Sequence, residues 1–158
     1  MGMDGLPEQE CLICRKHRGE GPLAGPVVWE DEYLVVTHRP VGEDGTAVLG
    51  YLFVESRRHV PCLADLTDSE AAAAGRTVRR VAQALRAELA TDFVFSAIAG
   101  MSQAHFHQHV FARHAGTPAE YGWMAGDQWP GAPRGTTAAV ADLCGRLRPY
   151  LGKDSAQD

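Results

Sequence analysis

Three histidines alternate with other residues in His105-Phe106-His107-Gln108-His109-Val110-Phe111. Along an extended strand, alternate side chains share a face. The spacing therefore predicts one face carrying His105, His107 and His109, and the other carrying Phe106, Gln108 and Val110. A row of imidazoles is a costly way to cover a sheet, because charged rings repel and neutral buried rings each need hydrogen-bond partners. A lone histidine reads as a tolerated surface position, whereas three in this register read as chemistry. Two chemistries compete. One ring could attack phosphorus while its neighbours stabilise the phosphoryl oxygens, or two or three rings could chelate a metal that activates water. Metal hydrolases of that kind usually add carboxylate ligands, and no Asp or Glu falls in this segment. Gly100-Met101-Ser102, just ahead, could bring a backbone N–H and a hydroxyl up to an anion.

Cys11-Leu12-Ile13-Cys14 has the spacing of a metal knuckle. With no second Cys-x₂-Cys pair, a zinc ribbon is excluded, and nothing strand-like precedes Cys11 as a thioredoxin-type motif would require. A tetrahedral zinc needs two more ligands, and His17, His59 and His105 are all available. Cys62, among Val60, Pro61 and Leu63, and Cys144, on the apolar side of a helix, are expected to be small buried hydrophobes. The opening Met1-Gly2-Met3-Asp4-Gly5 has neither a basic nor an apolar signal region, and Leu6 stands where a myristoylation signal wants Ser or Thr. No disulfide framework is expected, and the expected location is cytoplasmic.

These groups need a scaffold. The length of 158 residues suits one domain, 1–158. A hydrophobic fraction of 45% with 22% charged residues is that of a globular chain. No apolar run approaches a membrane span. A net charge of −5 gives no general attraction to nucleic acid or anionic lipid, so any phosphate site must be local. Residues 1–26, rich in Gly, Pro and Glu, read as a tail wrapped over the domain. Strands are expected at Val27–Trp29, Tyr33–Val36, Ala47–Val54, Phe93–Ile98 and His105–Phe111, with a loop from His38 to Gly45. Thr67-Asp68-Ser69-Glu70 is a capping box. The helix it opens carries Ala71, Ala74, Val78, Val81, Leu85 and Leu89 on one stripe, while Arg76, Arg79, Arg80 and Arg86 form a solvated face. A long loop, 115–135, holds Trp123 and Trp129, which either close over a substrate or partner or simply pack on the sheet. A second helix, Thr136–Leu151, buries Val140, Leu143, Cys144, Leu147 and Leu151. The pattern allows a parallel crossover, but the expected fold class is α+β and antiparallel.

The triad segment resembles the His-φ-His-φ-His-φ-φ signature of the histidine triad (HIT) superfamily of nucleotide hydrolases and transferases, with Gln108 departing from the apolar ideal. Cys11–Cys14 is similar to the amino-terminal zinc knuckle of many bacterial members. Glu30–Val36 looks like their acidic turn and strand, and Gly50–His59 followed by Leu63–Leu66 looks like the segment before their long helix. The resemblance implies a five-stranded antiparallel sheet with two helices, one long between strands 3 and 4 and one C-terminal, usually in a homodimer. It implies a structural zinc on Cys11, Cys14, His59 and His105, preferring His59 over His17. It implies a nucleophile at His107, which attacks the α-phosphorus of a nucleotide or other phosphate ester to form a nucleotidyl-histidine. His109 and Ser102 would bind the phosphoryl oxygens, with Gln103 as a further substrate contact. Phosphoric anhydrides, esters and phosphoramidates are the candidate substrates. Departures cluster at the ribose grip. Thr37-His38-Arg39-Pro40 stands where an Asp precedes the Pro, Tyr51 replaces a His, Ser96 or Ala97 an Asn, and Met101 a Gln. The alternative reading is a zinc-stabilised binding or scaffold protein with altered or lost turnover.

Overall fold

A computed structural model describes residues 7–152; the opening stretch on which the signal-peptide reading rests lies outside the described residues. The strands are β1 (Val27–Glu30), β2 (Leu34–His38), β3 (Ala47–Val48), β4 (Tyr51–Ser56), β5 (Phe93–Ala97), β6 (His107–Arg113) and β7 (Arg134–Gly135), and the helices are α1 (Leu12–His17), α2 (Asp68–Leu89) and α3 (Thr137–Leu151). The main sheet has the order β1-β2-β4-β6-β5 and every pairing in it is antiparallel. The fold is thus the expected α+β one with an antiparallel sheet, the long α2 lying between the third and fourth strands of the main sheet and α3 at the C-terminal end; α2 crosses from β4 to β5, two strands that run the same way with β6 paired between them.

The third predicted strand is broken in two. Gly50 turns the chain at φ +84°, where a side chain would be strained and where a Cβ would strike a methyl of Leu89. The β3 half pairs instead with β7, which turns the end of the 115–135 loop into a small ribbon. That loop also contains a 3₁₀ turn at Gly126–Gln128, so the expectation of an irregular segment is corrected there. His38 belongs to β2 rather than to the following loop. Its buried ring bonds the Arg39 carbonyl through Nδ1 (2.7 Å) and accepts from the Gly50 N–H at Nε2 (3.0 Å), which pins the turn before β4.

The capping box at the start of α2 is formed as expected. Thr67 Oγ1 accepts from the Glu70 N–H at 3.2 Å, and a Glu70 carboxylate oxygen accepts from the Thr67 N–H at 2.8 Å. Ala74, Val81 and Leu85 are buried. Ala71 is exposed, contrary to expectation, and Ala73, Thr77 and Ala84 are buried instead. The helix is broad enough in contact with both the sheet and α3 that small residues beside the apolar stripe are covered as well. All five residues expected inside α3 are buried. Cys144 is a buried hydrophobe, but Cys62 is only half-buried and its thiol donates to Asp65 (2.9 Å).

α2 and α3 pack on one face of the sheet, against Val28, Leu34, Val36, Leu52, Val54, Phe106 and Val110. Strand alternation leaves Thr37, Phe53, Glu55, His107 and His109 for the other face. That face would be wet without α1, yet β2 is buried at every position. The amino-terminal segment therefore covers the functional face, with Cys11, Ile13, Cys14 and Leu23 as its own small apolar cluster. No helix among the described residues is long and apolar enough to cross a membrane.

Candidate active site and metal centre

Cys11 lies at the amino-terminal cap of α1 and Cys14 one turn on, so both thiols face the same way. They meet His59, which follows β4, and His105, which precedes β6. Nδ1 of His105 lies 3.4 Å from each sulfur, and Nδ1 of His59 lies 3.4 Å from Cys14 Sγ and 3.3 Å from Nδ1 of His105. The four ligand atoms all fall within 4.8 Å of one another. Around a tetrahedral ion at ordinary bond lengths, two nitrogens lie about 3.3 Å apart and a nitrogen and a sulfur about 3.6 Å apart. The donor set and its spacing thus fit a four-coordinate metal. The outer nitrogen of His105 donates to the Ser56 carbonyl at 2.7 Å, which leaves Nδ1 as the ligand atom. Burial holds the His105 ring at about 4, hence neutral. Burial and the neighbouring Cys11 push the Cys14 thiol up to about 12, so coordination must expel its proton.

His105 is not on the ladder: β6 begins at His107, and Phe106 drops into the core with its N–H on the Val60 carbonyl at 2.7 Å. The expected face of three rings is corrected to two, with the third turned into the metal cluster. His107 and His109 remain side by side, with ring centroids 5.2 Å apart. Nδ1 of His107 donates to the His105 carbonyl at 2.7 Å, leaving Nε2 with its lone pair. That is the tautomer a nucleophilic imidazole requires. His109 receives its Nδ1 contact from the Tyr51 hydroxyl at 2.9 Å. Burial first, and then His107, Arg39 and Lys16, hold His109 at about 4.

His107 is 9% exposed and opens onto a cleft of about 300 Å³, also lined by Ile13, Lys16, Leu23, Arg39, Pro40, Phe53, Glu55 and Gln103. Glu55, opposite His107 in the β4–β6 register, is 1% exposed. Its carboxylate accepts from Lys16 (2.5 Å), His17 (2.7 Å) and Thr37 (2.8 Å). Burial alone would raise this carboxyl; the His17 hydrogen bond and the Lys16 charge more than reverse it and hold it below its usual range. His17 is therefore spent on Glu55 and is not in the metal cluster. Gln103 reaches the cleft, whereas Ser102 is exposed in the bend before β6 and does not line it. Neither tryptophan lines the cleft. Trp123 lies against Phe95 and Phe111, near the sheet edge.

Lys16, Glu55 and Arg39 carry no expected role in the motif reading. Two signals pointed to them. Lys16 is one of only two lysines in the chain, and Glu55 follows the apolar Leu52-Phe53-Val54, where an unpaired charge would be expensive.

The HIT domain pattern matches residues 27–116. Curated proteins give no match. Among solved structures, a zinc-bound histidine triad family protein from Mycobacterium smegmatis superposes with a TM-score of 0.64 at 21% identity, over 92% of this chain and 95% of that one. A Hit-like protein involved in cell-cycle regulation from Bartonella henselae gives 0.63 at 16%, over 92% and 100%. A hypothetical histidine triad nucleotide-binding protein from Sulfolobus tokodaii gives 0.61 at 16%, over 85% and 87%. At these identities the likeness is one of fold. The matched segment runs from β1 past the end of β6, holds His59 and all three triad histidines, and covers more than half of the 158 residues, so the chain belongs to the HIT domain family.

Proposed function

We propose that this protein is a zinc-stabilised HIT enzyme of the knuckle-bearing bacterial kind, a nucleotide hydrolase or nucleotidyltransferase in which His107 attacks the α-phosphorus of a nucleotide or similar phosphate ester held in the cleft. The observation that carries the reading is the His107 hydrogen bond to the His105 carbonyl, which frees Nε2 beside a cleft of ligand size. His109 supplies a donor to the phosphoryl oxygens. Ser102, in the bend before β6, is the second proposed donor, and Gln103, which lines the cleft, contacts the bound molecule. Removing one such donor typically costs about 2.7–4 kcal/mol of transition-state stabilisation.

Cys11, Cys14, His59 and His105 would hold the zinc. With four protein ligands it has no open position for substrate and serves as a cross-link between α1 and the strand ends. The whole chain acts as one HIT-like unit, with residues 1–26 as the metal-bearing tail. Two thiolate ligands suit the reducing cytoplasm. A second copy is the expected partner. The edge strand β5 and its surroundings expose Phe93 (61%), Trp123 (51%), Ile98 (41%) and Met124 (40%), an apolar margin suited to a homodimer.

One observation favours the alternative of a binding protein with lost turnover. Thr37-His38-Arg39-Pro40 stands where the family resemblance calls for a ribose-gripping Asp before the Pro, and the Thr37 hydroxyl is spent on Glu55. Incubation with dinucleoside polyphosphates, adenosine phosphoramidate and sugar nucleotides separates the two. A covalent nucleotidyl adduct in the wild type, absent from His107→Ala, supports the enzyme. Binding without adduct or turnover across the panel supports the binding protein. About one zinc per chain, kept in His107→Ala and lost in Cys11→Ala, counts against catalysis by a triad-held metal, and zinc lost with His107 would revive it.

A further inference from the structure

Tyr51 opens β4 beside the triad strand, and its surroundings give it a definite task. We infer that Tyr51 is a positioning residue whose O–H donates to Nδ1 of His109, fixing that ring as an Nε2–H donor, and that the site so built acts on phosphoanhydrides, whose leaving group departs as an oxyanion, rather than on phosphoramidates, whose amine must be protonated to leave. This rests on the phosphoryl-transfer reading and narrows its substrate class.

The direction of the bond follows from accounting for hydrogens. Tyr51 is 5% exposed and its hydroxyl lies 2.9 Å from His109 Nδ1. If the ring donated to the phenol, the phenolic hydrogen would have no acceptor among the described residues. Nε2 would then aim a lone pair at anionic phosphoryl oxygens. If the phenol donates, both groups are satisfied and Nε2–H is presented. The phenol is held from both sides. Its ring stacks on Phe111, with centroids 4.9 Å apart and planes 11° from parallel, and the Arg39 guanidinium lies 3.7 Å from its centroid. Arg39 is in turn fixed by Asp127 at 2.7 Å, from the loop before β7. Burial keeps the phenol protonated.

A neutral His109 with its one proton on Nε2 donates a hydrogen bond but is a poor acid, because giving that proton up leaves an imidazolate or, by relay from Tyr51, a phenolate that burial disfavours. The other groups lining the cleft do not replace it. The Lys16 ammonium is committed to Glu55, Arg39 does not release its proton, and Glu55 is an ionised acceptor. In the first step the His107 Nε2 lone pair forms a P–N bond as the P–O bond to the leaving group breaks, and that electron pair departs with a phosphate or polyphosphate oxygen, which needs no proton. In the second, a water oxygen bonds to phosphorus, the P–N pair returns to Nε2, and the water's proton passes to solvent. An amine leaving group would have to depart as a far stronger base.

The test pairs NMR of ¹⁵N-labelled histidine rings with kinetics on a nucleoside polyphosphate and the phosphoramidate of the same nucleoside. The wild type is expected to show His109 as the Nε2–H tautomer, and Tyr51→Phe, which keeps the stacking, a mixture of tautomers. Tyr51→Phe should lower kcat by about tenfold with KM little changed, as the loss of one hydrogen bond implies. The anhydride should be favoured in kcat/KM by about 100-fold, the lower range of what general-acid catalysis supplies where it exists. An Nδ1–H tautomer in the wild type, or an unchanged tautomer in Tyr51→Phe, overturns the role of Tyr51. A phosphoramidate turned over as fast as the anhydride overturns the substrate class. Absence of any adduct or turnover sinks the phosphoryl-transfer reading and the substrate class together, while the tautomer measurement, which needs no substrate, still decides the part played by Tyr51.

Discussion

Replacing Glu55 by Gln should be among the most damaging isosteric changes available in this protein. Glu55 is 1% exposed, and its two carboxylate oxygens serve three donors. Lys16, whose side chain is 5% exposed, has Glu55 as its only salt-bridge partner among the described residues. Gln keeps the shape and one acceptor oxygen. It strips the charge that compensates Lys16 and turns an amide N–H₂ toward one of the former donors. Breaking a buried pair from one side costs about 3–5 kcal/mol, because the surviving charge is left uncompensated. At about 3 °C per kcal/mol for a chain of this size, the melting temperature should fall by about 9–15 °C. Urea unfolding followed by circular dichroism measures the free-energy loss, and a thermal scan the fall in melting temperature. The double variant Lys16→Met/Glu55→Gln, which removes both charges, should recover more than half of the loss. A Glu55→Gln protein within about 1 kcal/mol of the wild type, or a double variant no better than the single, would show that the ion pair is not what fixes α1 to the sheet.

Other outcomes can be checked with similar means. Chelation with confirmed loss of metal should lower the melting temperature, since binding energy at a structural site is partly folding energy, and the metal should leave more readily as pH falls, because the thiols must be deprotonated to bind. Stability should also decline in acid. Glu55 and Glu70 both have folded values below the usual 4.5, with Glu70 held at about 2 chiefly by its Arg58 hydrogen bonds. Their contribution is therefore complete above about 4.5 and drains away as pH drops below it, a limb that Glu70→Gln should flatten in a pH series of unfolding curves. Gly50→Ala should cost at least about 1 kcal/mol, because the added Cβ meets Leu89 at a positive φ; an unchanged urea midpoint would contradict that.

Local pattern was enough wherever a feature is built from local periodicity. The capping box and the stripe of α2, the buried side of α3, and the pairing of His107 with His109 on one face all follow from spacing. Periodicity failed where the chain changes direction for a long-range reason. Alternation placed His105 beside His107, but Phe106 is needed in the core and pulls the chain out of the ladder just before it. Gly50 breaks a run that reads as one strand, because the chain turns there at φ +84° with a Leu89 methyl of α2 packed where a Cβ would lie. The ring around the cleft was the least legible part. Lys16 meets Glu55 across 39 residues and Arg39 meets Asp127 across 88, and no local signal encodes such partners. The choice of His59 over His17 needed the family resemblance, and the geometry then explained it, since the Glu55 carboxylate claims His17.

The same short helix joins the metal centre to the cleft. Within α1 and its cap, Cys11 and Cys14 turn to the metal cluster, Ile13 and Lys16 wall the cleft beside His107, and Lys16 and His17 hold Glu55. Six residues are too few to be a stable helix by themselves, so α1 depends on what anchors it. A metal held by Cys11, Cys14, His59 and His105 would tie down its start, and the Glu55 ion cluster holds its end. The triad divides its labour accordingly. His105 faces the two cysteines of α1 and its cap and offers its backbone carbonyl to His107, so the residue that meets α1 also fixes the tautomer of its neighbour. Loss of the metal should then be felt at His107 as well as in stability. The chelated protein should show a change in the His107 ring resonances at temperatures where the fold is still intact. A His107 spectrum unmoved by chelation well below the melting transition would separate the two sites and leave α1 as a simple strap.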